Sequence, residues 1–195
     1  MMKKAMVGGL AATDLEAIVS FEDKTGVRVV NPYCTPEVIR EVNREPITHS
    51  VKLVELGPWQ RREVLKAFAE GVWLPEALNE LGLAPVPEET ALVLFLRWQF
   101  GGRLPSERGG ERFVFLSSPI AVGGDMRLFA LEHRMGRKHL GTKRKPYDRP
   151  PLSPIREELE LATVHTEHAY LDWGLEGYHF VATYAASAAG AAHAA

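Results

Sequence analysis

Cysteine is almost missing from this 195-residue chain, where Cys34 stands alone. One thiol makes neither an internal disulfide nor a cysteine-based zinc site, so a reducing compartment, the cytoplasm, is the expected location. Long apolar runs are missing as well. No stretch reaches the roughly 18 residues of a membrane span. Met1 to Ala12 loosely imitates a signal peptide, but Thr13, Asp14 and Glu16 interrupt it where an apolar core should continue. The chain is therefore read as neither exported nor membrane-inserted. Net charge is also small, 23 Lys and Arg against 25 Asp and Glu, which leaves −2. A balance that close excludes attraction of polyanions by the molecule as a whole, and any such binding must come from a local cluster.

The common catalytic signatures are absent too. The glycines after the first strand lack G-x-G-x-x-G spacing, and neither G-x-x-x-x-G-K-[ST] nor H-E-x-x-H occurs. Ser117 and Ser118 have no G-x-S-x-G elbow around them. No cofactor is expected, and no residue is assigned a catalytic role.

What is present reads as one domain over residues 1–184, followed by an alanine-rich tail, 185–195, that offers almost nothing to pack and is expected to be disordered. Lys3 to Leu10 predicts a strand closed by Gly8-Gly9, and Thr13 and Glu16 have the spacing of a capping box for the helix behind it. Val27 to Val30 predicts a second strand, and Thr35-Pro36 opens a second helix. A third strand over Val51 to Leu56 precedes a helix that starts at Gly57-Pro58. This β-α-β-α-β-α order predicts a Rossmann-like α/β fold, with a mainly parallel sheet flanked by helices. Beyond it the pattern predicts short helices at Pro75 to Leu81 and Pro87 to Phe100, a strand at Arg112 to Leu116 and either element at Met126 to His133. A helix at Glu157 to Ala169 and a last strand at Tyr178 to Tyr184 complete an irregular C-terminal extension.

The strongest local signal is a basic loop at 134–150. It contains Arg134, Arg137, Lys138, Lys143, Arg144, Lys145 and Arg149, with Tyr147 among them and Asp148 as the one acid. The window is about +6, so the remainder of the chain must be clearly acidic. Dense cations beside an aromatic ring suit phosphate backbones and the stacking of an unpaired base. The leading expectation is a non-enzymatic protein that binds nucleic acid, or another polyanion, through this loop.

A second expectation is nucleotide binding at Gly8, Gly9 and Thr13, where a glycine turn leads from a strand into a helix and backbone N–H groups can approach a phosphate. Asn31 stands where an acidic residue would hold a ribose. A third is a subunit of a larger intracellular or viral complex, or a homo-oligomer, with tryptophans and the basic loop as interface material. His165 and His168 stand three apart on the helix predicted there, with His133, His139 or His179 as conceivable further ligands, but no metal is assigned.

Ala-Glu-Gly-Val-Trp-Leu-Pro-Glu-Ala-Leu-Asn-Glu-Leu-Gly-Leu, residues 69–83, resembles the middle of a helix-turn-helix. That resemblance covers about fifteen residues and implies a polar recognition helix immediately afterwards. The helix that follows carries Leu92, Val93, Leu94, Phe95 and Leu96 instead, which belong in a core.

Overall fold

The computed structural model describes residues 2–20, 28–31, 34–97, 111–136, 156–166 and 178–185. Its elements in chain order are β1 (Met2–Val7), α1 (Ala12–Val19), β2 (Arg28–Val30), α2 (Pro36–Arg40) and β3 (His49–Glu55). Then come α3 (Pro58–Ala69), α4 (Leu74–Glu80), β4 (Leu83–Ala84) and α5 (Thr90–Arg97). The remainder is strand: β5 (Glu111–Phe115), β6 (Ile120–Val122), β7 (Asp125–Gly136), β8 (Arg156–His165) and β9 (Tyr178–Tyr184).

Among the described residues these nine strands form one sheet, ordered β1-β3-β9-β5-β7-β8-β2, with β4 beside β9 and β6 beside β7. Only β2 with β8 and β5 with β9 are parallel. The other pairings, β1–β3, β3–β9, β4–β9, β5–β7, β6–β7 and β7–β8, are antiparallel. The expected Rossmann-like, mainly parallel sheet is thus corrected to a mixed α/β fold on a mostly antiparallel sheet. The local β-α-β-α-β-α order is real. Its three strands, however, do not lie side by side in parallel: β1 meets β3 antiparallel at one edge, and β2 joins β8 at the other.

A second correction concerns residues 157–169, predicted helical. Residues 156–165 form β8, with Leu159 and Leu161 in one apolar cluster and Val164 in the other. Both faces of this strand are covered, so Leu159 to Ala162 and Val164 are all buried and the simple inside–outside alternation is lost. The undecided stretch at Met126 to His133 is strand.

Helices cover the sheet on both sides. On one face, Leu15 and Ile18 of α1, Val38 and Ile39 of α2, and Leu92 to Phe95 of α5 pack on Val7, Leu53, Phe113, Phe129, Leu131 and Leu161. On the other, Val64 of α3 and Leu74 and Leu78 of α4 pack on Val54, Val114, Leu128, Phe180 and Ala182. The uniform apolar run in α5 now has its cause, because every residue from Thr90 to Phe95 is buried and no solvent face is needed.

The helix starts use local chemistry. Asp14 accepts the Ala11 N–H at 2.7 Å and Gln60 accepts the Gly57 N–H at 3.0 Å. The cap of α1 is therefore Ala11 with Asp14 and not Thr13 with Glu16. Glu16 instead binds Arg40 of α2 through Nε at 2.9 Å, which ties the two helices together.

Candidate functional site

The strand directions bring many polar residues to one end of the sheet. β2, β5, β8 and β9 run the same way, and β7 runs against them. Their starts therefore lie beside the end of β7, where Gly136 pairs with Arg156. Arg28, Arg112, Arg134 and Arg156 fall near this one end, on four neighbouring strands. The connection 137–155 departs from here, its two ends held by a ladder of paired positions from Arg127↔His165 to Gly136↔Arg156.

Below that end a polar row crosses four strands in register. Tyr178 stands opposite Arg112, Arg112 opposite Glu132, and Glu132 opposite Glu160. Arg112 donates from Nε to Glu132 Oε2 at 3.0 Å and makes a second, shorter contact to the same oxygen through Nη2. Its Nη1 donates to the Tyr178 hydroxyl at 2.9 Å, and its guanidinium carbon lies 5.2 Å from the centre of that ring. Glu132 is 9% exposed and Glu160 4%. Two carboxylates directly opposite on neighbouring strands repel, and each here has its own donor, Arg112 for Glu132 and the Asn31 amide for Glu160. The row is a lock across β9, β5, β7 and β8, with β2 tied on through Asn31.

On the opposite face at the same end, His179 Nδ1 lies 2.6 Å from Glu55 Oε1, and its ring stacks on Phe113 with centroids 4.9 Å apart. Among the described residues no three His, Cys, Asp or Glu side chains converge on a metal position.

The residues singled out from sequence separate as follows. Arg134 lies on β7, opposite Glu158 of β8. Arg137, Lys138, Lys143, Arg144, Lys145, Tyr147 and Arg149 lie outside the described residues, as do His139, His168 and the alanine-rich tail beyond 185. His165 closes β8 at the far end of the sheet, 3.7 Å from Asp125, whereas His179 opens β9 at the near end, so the structure does not unite them. The helical spacing assumed for His165 and His168 is corrected by the strand that carries His165.

Gly8 and Gly9 also lie at the far end. Both have positive φ, 86° and 72°. A Cβ at Gly8 would stand 2.3 Å from the Ile47 carbonyl oxygen, and one at Gly9 would stand 2.4 Å from Thr48 Oγ1. The Gly9 N–H is already donated to the Glu45 carbonyl at 2.7 Å, and the Gly8 carbonyl accepts from Arg97 at 3.0 Å. These glycines therefore admit the chain's own segment around Glu45 to Thr48. Thr13 is exposed on α1, with Asp14 already at the helix start. Among the described residues the strand that leads into this turn, β1, has only the antiparallel neighbour β3.

The row residues Arg112, Glu132, Glu160 and Tyr178 were not singled out in the sequence. Their signal was there: Glu132 follows Leu131 within β7, and Glu160 lies between Leu159 and Leu161 within β8. A charge inside an apolar strand calls for a partner, and that partner is visible only once register is known. No protein-family model, no curated protein and no solved structure matches this chain.

Proposed function

We propose that this protein binds nucleic acid through the basic segment Arg134 to Arg149. The observation that supports the reading is the pairing of Gly136 with Arg156, which holds both ends of the connection 137–155 together at one end of a locked sheet. Arg134, Arg137, Lys138, Lys143, Arg144, Lys145 and Arg149 supply cations for phosphates, and Tyr147 supplies a stacking face. Such contacts release counterions and carry little sequence preference.

If all seven cations meet single-stranded phosphates, log K falls against log salt with a slope of about −5, a loss of about a thousandfold between roughly 50 and 200 mM salt. Fluorescence anisotropy with labelled single-stranded RNA, single-stranded DNA and duplex DNA measures it. Replacing Lys143, Arg144 and Lys145 by alanine lowers the slope by about 2 units. Undetectable binding at low salt, or a slope unchanged by the triple substitution, overturns the reading.

A further inference from the structure

The outer surface of the α3–α4 pair carries a groove of about 590 Å³. Trp59 and Trp73 both line it, and they are 62% and 67% exposed. Two indoles this open, with Val72 beside them, form an exposed apolar patch of the kind that marks an interaction surface. The groove's charge is equally one-sided. Glu63, Glu70, Glu76 and Glu80 line it against Lys66 alone, and Lys66 is 3.9 Å from Glu70.

Aromatic faces flanked by carboxylates attract cations, because the ring face and the carboxylate both present negative potential. Its occupant should therefore be rich in Lys and Arg. This chain contains such a segment, about +6 between Arg134 and Arg149, in a molecule whose remaining residues are acidic.

We infer that the α3–α4 groove receives the basic segment of a second copy of this chain. Each contact pairs one groove with one segment, so copies join either reciprocally as a two-fold dimer or head-to-tail as a longer assembly. Nucleic acid and the groove then compete for the same cations. The inference does not depend on the nucleic-acid reading, because the association is measured without nucleic acid.

The experiment uses analytical ultracentrifugation of the full chain over a range of concentrations, at about 50 mM and about 500 mM salt. Self-association at the lower salt and its loss at the higher are expected. A groove variant carries Trp59→Ala, Trp73→Ala, Glu76→Lys and Glu80→Lys. A segment variant carries Lys143→Glu, Arg144→Glu and Lys145→Glu. Each variant alone is expected to associate at least about tenfold more weakly than the parent. Mixed in equal amounts, they should form a heterodimer that grows no further, since only one intact groove and one intact segment can meet. Far-UV circular dichroism on each variant checks that it is folded. A parent chain that stays monomeric at low salt, variants that associate like the parent, or a mixture that stays monomeric overturns the inference. Binding of an unrelated arginine-rich peptide by a monomeric parent chain also overturns it, in favour of a foreign partner.

Discussion

Removing either member of the Arg112–Glu132 pair should destabilise the fold, and the two removals should not cost the same. Arg112→Met leaves Glu132, 9% exposed, opposite Glu160 with its guanidinium donor gone. Losing one partner of a buried ion pair costs about 3–5 kcal/mol. The like charge of Glu160 directly opposite adds to that cost. Glu132→Leu strands an arginine whose side chain is 26% exposed and whose guanidinium still has the Tyr178 hydroxyl, and it removes the repulsion with Glu160. Its cost should be lower, about 2 kcal/mol. The double replacement exchanges a pair for two apolar side chains and should cost about 1 kcal/mol or less, so the coupling between the sites is about 4–6 kcal/mol. For a chain of this size 1 kcal/mol is about 2–4 °C in Tm.

Urea unfolding followed by circular dichroism, analysed as a double-mutant cycle, gives these values directly, with the denaturant slope unchanged. Coupling below about 0.5 kcal/mol, or Glu132→Leu costing more than Arg112→Met, would refute the lock. On the proposed nucleic-acid reading, the double variant should bind like the parent, because the Arg112 guanidinium is committed within the row.

Three further outcomes follow from other sites. Glu89 is fully buried, its Oε2 has no hydrogen-bond partner among the described residues, and burial raises its carboxyl above the usual range despite the Glu45 N–H. The folded state thus holds that proton more tightly than the unfolded state. The associated stability is fully present below the unfolded value, about pH 4.3, and is lost as pH rises through the folded one. Glu89→Gln should therefore raise the urea midpoint at neutral pH and change it little near pH 4, and a lower midpoint at neutral pH would count against this. Gly8→Ala forces a Cβ onto the Ile47 carbonyl at a positive φ and should cost about 2 kcal/mol or more in the same assay; a loss under about 0.5 kcal/mol would mean that the Ile47 segment yields freely. Burial pushes the Cys34 thiol up to about 12 against the opposing charge of Arg127, so a thiol reagent should react slowly with the folded protein and fast in denaturant; equal rates would contradict the buried position.

Most elements were legible because local chemistry writes them. Gly57-Pro58 opens α3, Thr35-Pro36 opens α2, and the apolar run from Ala91 is a helix, all as their residues predict. The arrangement of strands was not legible, because partners are chosen by burial between residues far apart in sequence. Val29 meets Glu160, and Leu53 meets Thr183. The order β-α-β-α-β-α is compatible with neighbouring parallel strands, yet here β2 crosses to the far edge. The helix misread at 157–169 has a related cause. Glutamates suit helices, and a strand covered on both faces shows no clean alternation to correct that bias. The polar row was hidden for the same reason as the strand order, since Arg112 and Glu132 are only spacings until register sets them opposite each other.

The place of β9 bears on how this chain is made. Residues 178–184 lie between β3 and β5 and join the β1–β3 pair to the β5–β7–β8–β2 group. Before these residues leave the ribosome, the nascent chain holds two partial sheets with raw edges facing each other. The sheet can therefore close only once β9 is available as the joining piece. Translation that stalls shortly before residue 178 should release a sticky product that depends on chaperones or is degraded.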